Sequence, residues 1–219
     1  MKKYLGILKS CLLFEGMSDA EILAVLECLE ARVTFFDKKY TIFAEGSPAK
    51  YVGIVLNGAA QVIQIDYYGN RSILSVIKKA DVFAEAFACA GIEEIPVTVI
   101  ANEPCEVMLI DCNRILHTCA KHCAFHQRLI FNLMKDLAQK TLLFHQRIDV
   151  TSRRTTREKL MAYLLLEAKR AKSDRFDIPF DRQELADYLE VDRSGLSTEL
   201  GKLKREGVLT FCKNHFELL

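Results

Sequence analysis

The chain has 219 residues, half of them apolar, and a formal net charge of +1 at pH 7. That length predicts one or two domains with an ample core. The near-neutral balance excludes a polycation, so any affinity for nucleic acid has to come from the local placement of basic residues. No stretch approaches the ~18 uninterrupted apolar residues of a membrane span, and the N-terminus lacks the apolar run of a signal peptide. We therefore expect a cytoplasmic protein with no membrane partner.

Residues 1–122 are predicted to form a β-rich domain. A short helix begins after Ser18, where Glu21 completes a capping-box pattern. Seven β-type runs follow: Ala31–Phe36, Tyr40–Phe43, Val52–Leu56, Ala60–Ile65, Ser72–Ile77, Val97–Ala101 and Glu106–Ile110. Turn residues such as Asn57-Gly58 separate these runs. Short strands at regular intervals favour a sandwich or a rolled barrel.

Residues 123–150 are predicted to form one long helix, because the segment from Cys123 to Asp149 contains neither Gly nor Pro. A heptad seam runs along it with alternating steps of four and three residues, which is typical of a dimer helix. The seam consists of Ile130, Met134, Leu137, Thr141, Phe144 and Ile148. A helix packed only on its own domain stays open as an interpretation, since Leu129 and Leu133 supply a second apolar face.

Residues 151–219 are predicted to form a winged helix-turn-helix. After a hinge near Arg153, a helix runs from Lys159 to Lys169. Asp181 and Glu184 form a capping-box pattern that opens the next helix. The last helix carries an apolar stripe, and two short β-type runs after it form a hairpin, the wing: Leu196, Leu200 and Leu203, then Val208–Phe211 and Phe216–Leu218. Two helices around a short turn place the second one in a major groove of DNA.

The first turns of that last helix supply the candidate DNA contacts. Small polar residues and one arginine lie where a reading helix meets base edges, and Lys202 can reach a phosphate. The base-facing candidates are Arg193, Ser194, Gly195, Ser197 and Thr198. The alternative interpretation is a winged helix that binds a protein partner instead of DNA.

Three segments, in this order, resemble the Crp/Fnr superfamily of bacterial transcription regulators. They are the barrel motif from Phe43 to Gly58, the segment Asp81–Glu85 at the family's phosphate cassette, and the reading segment around Asp192-Arg193-Ser194. The resemblance covers nearly the whole chain. It implies an α+β protein with an N-terminal double-stranded β-roll like those that bind cyclic nucleotides, a long dimerisation helix and a C-terminal winged helix-turn-helix.

The resemblance also implies a function. Members of this family are homodimers that bind an inverted-repeat operator on double-stranded DNA, and none of this requires an enzyme. RNA polymerase stays open as a further partner. Two other functions stay open as well: a redox- or metal-sensing thiol protein whose winged helix binds a protein, and an effector-binding module without DNA activity.

The cassette departs from the family pattern at the positions that bind phosphate. Ala84 stands in place of a glycine, Ile95 in place of an arginine, and Pro96 follows it; only Glu85 is retained. A phosphate needs a cation and backbone N–H donors, which isoleucine and proline do not supply. We therefore expect no cyclic AMP binding, and the effector is unknown.

The cysteines offer a different sensor chemistry. Eight are present without a C-x-x-C pair. On one continuous helix, four soft ligands would share a face at positions i, i+3, i+4 and i+7: Cys119, His122, Cys123 and His126. Such ligands suit zinc, haem or an iron–sulfur cluster. Redox-active thiols and plain buried cysteines are the other two interpretations.

Overall fold

The computed structural model describes residues 1–117 and 124–219. The chain divides into two compact units, the first formed by Met1–Asn70 and Leu74–Thr141, the second by Arg71–Ile73 and Leu142–Leu219. Among the described residues, no helix has the length and apolarity needed to cross a membrane. Each unit is described separately below.

The first unit is built on eight strands and five helices. The strands are β1 (Arg32–Phe36), β2 (Thr41–Phe43), β3 (Tyr51–Asn57), β4 (Ala60–Ile65), β5 (Arg71–Ile77), β6 (Val82–Phe83), β7 (Thr98–Ala101) and β8 (Cys105–Asp111). The helices are α1 (Leu5–Leu8), α2 (Asp19–Cys28), α3 (Glu85–Ala90), α4 (Cys112–Leu116) and α5 (Ala124–Thr151), together with 3-10 turns at Lys2–Tyr4 and Leu12–Phe14. The last ten residues of α5 belong to the second unit.

Two antiparallel four-stranded sheets form the roll, in the strand orders β1-β8-β3-β6 and β2-β7-β4-β5. Strands β3 and β8 pair closely, with Ile54 opposite Met108. Buried apolar side chains from α1, α2, β3, β8 and α5 form one core, and Leu129 and Leu133 of α5 are part of it. Gly58 has a positive φ of +80°, and a Cβ there would lie 2.4 Å from the carbonyl oxygen of Pro104, so the turn after β3 requires glycine.

The second unit contains three helices and a small sheet. They are α6 (Thr156–Ala171), α7 (Arg182–Leu189), α8 (Arg193–Arg205), β9 (Arg175–Asp177), β10 (Leu209–Cys212) and β11 (His215–Leu218). The strand order is β10-β11-β9, and β10 and β11 form the predicted wing hairpin. One side of α8 is buried through Leu196, Leu200 and Leu203, as the apolar stripe predicts.

Three helices begin with a capping box. In it, the side chain of the residue before the helix accepts a hydrogen bond from a backbone N–H three residues later, and the side chain of that later residue accepts one from the N–H of the first. The two predicted boxes, Ser18 with Glu21 and Asp181 with Glu184, are both present. A third, Thr155 with Glu158, starts α6 at Thr156, earlier than the predicted Lys159. Each cap satisfies N–H groups that the first turn of a helix leaves unpaired.

The predicted fold class is confirmed, an α+β chain with a β-roll, a long helix and a winged helix-turn-helix. All seven predicted β-type runs are strands, with ends that differ by one residue or less. Among the described elements, the sequence patterns missed the short helices α1, α3 and α4 and the short strands β6 and β9. Two or three residues carry too little periodicity to be recognised, and these strands exist because neighbouring strands pair with them.

Ala84, the residue between β6 and α3, has a left-handed backbone with φ of 62°. Its side chain is buried, so this conformation is held by the surrounding structure. The left-handed region costs a non-glycine residue roughly 1–2 kcal/mol. The backbone at position 84 thus has the left-handed conformation that favours glycine, although the residue there is alanine.

We expect Ala84→Gly to leave the free energy of unfolding within about 0.5 kcal/mol of wild type, because relief of backbone strain offsets the lost methyl group and the entropy of glycine. Ala88→Gly, at a buried helical position of the same helix, should instead cost about 1.5–2 kcal/mol. Urea denaturation of both variants measures the difference. Equal losses would show that position 84 is unstrained.

Candidate DNA-binding surface and effector site

Helix α8 presents its first turns to solvent. Asp192 caps it by accepting a hydrogen bond from Gly195 N at 2.8 Å. This cap fixes where the helix begins and leaves the adjacent Arg193 exposed at its start. Among the other predicted DNA contacts, Gly195 is half-buried, and the rest are exposed: Ser194, Ser197, Thr198 and Lys202.

The hydroxyl groups on this surface already donate hydrogen bonds within the protein. Ser197 Oγ donates to the carbonyl of Arg193 at 3.0 Å, and Thr198 Oγ1 donates to the carbonyl of Ser194 at 3.0 Å. Ser194 Oγ bonds Asp192. As they stand, these hydroxyls can accept from a base edge but must rotate to donate to one. A guanidinium can donate two hydrogen bonds to a guanine edge, so Arg193 is the leading candidate here for base recognition.

Lys202 lies about one turn after Thr198 on α8 and pairs with Glu199, with Nζ and Oε1 2.6 Å apart. The lysine side chain is half exposed, so this ion pair is worth little in water. It can open when a phosphate offers a stronger charge. Lys202 is therefore available to a DNA phosphate.

The wing is anchored by Arg182, a residue that the sequence patterns did not single out. Its guanidinium lies over the rings of Phe211 and Phe216, 4.7 and 5.2 Å from their centroids. It also donates a hydrogen bond from Nη2 to the carbonyl of Lys213 at 2.7 Å. Burial lowers the pKa of Arg182. This arginine thus joins the start of α7 to both strands of the wing, and no local signal marks such a contact.

Three of the four predicted cassette residues are buried. Ala84 and Glu85 stand at the junction of β6 and α3, and both are buried. Ile95 is 1% exposed, and its backbone exchanges hydrogen bonds with the turn after β2, at 2.9 Å from Gly46 N and 2.8 Å to the carbonyl of Ser47. Pro96 is exposed and has no N–H. The side chain of Ile95 is therefore part of the core.

Glu85 is held by a cation from helix α5. Lys140 Nζ lies 2.8 Å from Glu85 Oε1, 2.7 Å from Asp136 Oδ2 and 2.7 Å from the carbonyl oxygen of Val82. We call these residues, Lys140 with Glu85 and Asp136, the ammonium cluster. It brings together one amine and two carboxylates from parts of the chain about 55 residues apart. The second oxygen of Glu85, Oε2, is buried without a hydrogen bond among the described residues.

Burial and charge oppose each other within the ammonium cluster. Burial lowers the pKa of Lys140, but the carboxylates of Glu85 and Asp136 outweigh it and hold that pKa above its ordinary value. Burial raises the pKa of Asp136, and the charge of Lys140 opposes this. A charged lysine is thus stabilised here by the carboxylates that it neutralises.

Helix α5 has two different sides. One is buried in the first unit, where Asn132 Nδ2 also donates to the carbonyls of Leu13 and Glu15 at 3.0 Å. The other side contains the predicted seam: Ile130 and Leu137 are half-buried, and Met134, Thr141, Phe144 and Ile148 are exposed. Three further apolar residues are exposed on α5, namely Phe131, Leu142 and Leu143. Leu137 also packs against the core of the roll, so it does not belong to the seam alone.

Three of the four predicted metal ligands, Cys119, His122 and Cys123, lie outside the described residues. The fourth, His126, is buried, and its Nε2 lies 3.1 Å from the carbonyl oxygen of Arg114. Within residues 1–117 and 124–219, no group of three or more His, Cys, Asp or Glu side chains could hold a metal ion. The structure therefore gives this hypothesis no support from His126.

Comparison with known proteins gives two family matches. A cyclic nucleotide-binding domain model matches residues 33–122, and a Crp-like helix-turn-helix domain model matches residues 158–219. The transcriptional activator protein FnrL of Cereibacter sphaeroides is 24% identical over 208 residues, which span 87% of this chain and 77% of FnrL.

Solved structures share the fold at low identity. FixK2 from Bradyrhizobium japonicum has a TM-score of 0.67 at 22% identity, with 86% of this chain and 92% of FixK2 covered. The c-di-GMP responsive global regulator CLP of Xanthomonas campestris has a TM-score of 0.75 at 16% identity, with 91% and 99% covered. Both similarities support the architecture of a β-roll, a long helix and a winged helix-turn-helix.

A roll of the cyclic-nucleotide-binding type, followed by a long helix and a Crp-like helix-turn-helix, defines a DNA-binding transcription regulator. The chain belongs to the Crp/Fnr family of such regulators.

The ammonium cluster can be tested through stability. Lys140→Met should lower the free energy of unfolding by about 3 kcal/mol, because two poorly solvated carboxylates lose their cation. Without the ammonium, the pKa of Asp136, which burial already raises, rises further in the folded state, so the folded variant binds more protons. Its deficit relative to wild type should therefore shrink as pH falls from 7 to 5. Urea denaturation at both pH values measures this.

Lys135→Met is the matched control on the same helix. Lys135 pairs with Glu15, and both side chains are well exposed, so its loss should cost less than about 1 kcal/mol at either pH. A Lys140→Met variant as stable as this control would show that Glu85 and Asp136 do not depend on the lysine.

Proposed function

We propose that this protein acts as a homodimer that recognises an inverted-repeat operator through α8 and does so without a cyclic nucleotide. The observation that carries the proposal is the exposed start of α8, capped by Asp192, with Arg193 and three hydroxyl residues at the end that meets base edges. In this proposal, Arg193, Ser194, Gly195, Ser197 and Thr198 face the bases and Lys202 binds a phosphate. The domains are residues 1–122, 123–150 and 151–219.

The exposed apolar side of α5 supports the dimer. Met134 is 56% exposed and Ile148 61%, although both are large apolar residues. A second copy of α5 related by a two-fold axis would cover this side, because a two-fold interface sets the same surface of each copy against the other. Two reading helices would then enter successive major grooves about one helical turn apart.

The ammonium cluster supports a roll that does not bind cyclic nucleotides. In a nucleotide site of this type the phosphate needs a cation and backbone N–H donors. Here the position of the cation is Ile95, which is in the core, and the retained carboxylate of Glu85 already has a cation partner in Lys140. In this proposal the roll therefore offers an anionic ligand no unpaired cation at these positions.

The dimer can be tested by placing a charge on the exposed side of α5. Met134→Glu should convert the dimer into monomers at micromolar concentration, since a carboxylate there would be buried without a partner in the dimer. Light scattering measures the mass, and thermal unfolding checks that the fold survives.

Gln139→Glu is the control for that experiment. Gln139 is exposed on α5 about 140° around the helix from Met134, outside the seam. This variant should remain dimeric. A monomeric wild-type protein, or two variants with the same mass, would contradict a dimer formed through this side of α5.

DNA recognition can be tested by selecting fragments from random DNA and then measuring the affinities of two variants. We expect the selected sequence to be an inverted repeat. Arg193→Ala should cost ~1–3 kcal/mol on that sequence and relax selectivity at one base of each half-site. Lys202→Ala should weaken binding to all sequences equally and reduce the salt dependence, because it removes a phosphate contact. Fluorescence anisotropy at several salt concentrations measures both.

Lys38→Ala, at an exposed lysine of the roll, is the control for a general loss of positive charge. It should change neither selectivity nor salt dependence. Wild-type protein that selects no sequence would favour a winged helix that binds a protein. Identical behaviour of the two α8 variants on operator mutants would contradict the proposed orientation of the helix.

A further inference from the structure

Two cysteines of the roll lie side by side. Cys89 is in the last turn of α3, and Cys112 is the first residue of α4. Their Sγ atoms are 3.6 Å apart. A disulfide requires about 2.05 Å, so the two sulfur atoms need to approach by roughly 1.5 Å to form a bond. This separation is small enough for adjustment of the two side chains and a small shift of α3.

The two thiols differ in exposure and in acidity. Cys89 is half-buried, whereas Cys112 is 3% exposed. The hydrogen bond between them lowers the pKa of Cys89 and raises that of Cys112, while partial burial opposes the effect on Cys89. Since the thiolate is the nucleophile, the more accessible Cys89 is also the more reactive of the two.

Two other thiols of the same unit, Cys11 and Cys105, lack these properties. Burial raises the pKa of Cys11 to about 12 and also raises the pKa of Cys105. Both side chains are at most 1% exposed. Buried thiols of this kind stay protonated and react slowly. The pair therefore stands apart from the core cysteines around it.

We propose that Cys89 and Cys112 form a reversible disulfide when the protein meets a hydroperoxide, and that this reaction is a signal input of the roll. In the first step the Cys89 thiolate attacks the outer oxygen of the peroxide, the O–O bond breaks, and Cys89 becomes a sulfenic acid while the alkoxide leaves and takes a proton. In the second step the sulfur of Cys112 attacks that of Cys89 and water leaves. Two thiols are thereby oxidised by two electrons, and a dithiol reductant reverses the change.

The position of Cys89 gives this disulfide a structural effect. It lies one turn after Glu85 on α3, and Glu85 is bound to Lys140 of α5. Helix α3 has only six residues and ends at Gly91, after which residues 92–94 are exposed, so it can move by the distance required. A bond to Cys112 would pull on the same short helix that carries Glu85 of the ammonium cluster. Any effect on operator affinity rests on the proposed function, whereas the thiol chemistry does not.

The chemistry is tested by counting thiols in the full-length protein. Of the eight thiols in the reduced chain, denatured protein should show six after treatment with one or two equivalents of hydrogen peroxide, and eight again after dithiothreitol. Peptide mapping after alkylation should find Cys89 joined to Cys112. An unchanged count, or a disulfide that joins Cys119 or Cys123 instead, would overturn the proposal.

Matched variants separate the two steps. Cys89→Ser should keep its seven thiols under peroxide. Cys112→Ala should lose one thiol and become labelled by dimedone, which traps the sulfenic acid of Cys89. Cys105→Ala, at a buried cysteine of strand β8, should still form the disulfide and fall from seven thiols to five. Dimedone labelling of Cys112 in the Cys89→Ser variant would reverse the assigned roles and count against the mechanism.

The signal is tested with the DNA that the wild-type protein selects. We expect reduced and oxidised wild type to differ at least fivefold in affinity, a typical size for coupling between two sites, and Cys89→Ser to bind equally in both conditions. Equal affinities of the two wild-type forms would overturn the signalling role. If neither form binds DNA while the disulfide still forms, the proposed function fails, and the redox input to DNA binding fails with it, but the thiol chemistry stands.

Discussion

The position of α3 in the roll depends on one half-buried amine. Lys140 approaches two carboxylates and a carbonyl oxygen, and the carboxylates come from α3 and from its own helix, α5. Removal of this amine would leave two buried carboxylates without their cation, which is costly in a protein interior. The interaction therefore ties α3 to α5.

Much of the fold could be predicted because its signals are local. Capping residues such as Ser18 and Asp181 act within three residues of the helix start, and strands such as Ala60–Ile65 carry their own alternation and turns. The position of the reading helix follows from the same local signals, since Asp192 caps α8 and its leucines mark the buried side. The conclusion that Ile95 cannot bind a phosphate needs only the chemistry of its side chain, and it stays a prediction.

The features that could not be predicted join distant parts of the chain. Lys140 and Glu85 are 55 positions apart, and Cys89 and Cys112 are 23 apart. Neither spacing predicts a contact, because only the folded roll brings these residues together. Arg182 is an ordinary first-turn residue in sequence, and its contacts with the wing arise only from tertiary packing. The sequence patterns singled out Cys119 and Cys123, which are close together along the chain. They did not single out Cys89 and Cys112, whose sulfur atoms lie near each other in the folded protein.

The left-handed backbone at Ala84 bears on how the roll could change over evolutionary time. A replacement by glycine at this position needs no rearrangement of the main chain, because the required torsion angles are already present. The same is not true at Ile95, whose side chain would have to leave the core to make room for a cation, nor at Lys140, which would have to release Glu85. A phosphate site at these positions would thus require several changes together. No single substitution would supply one, because the cation, the space for it and the release of Glu85 are separate requirements.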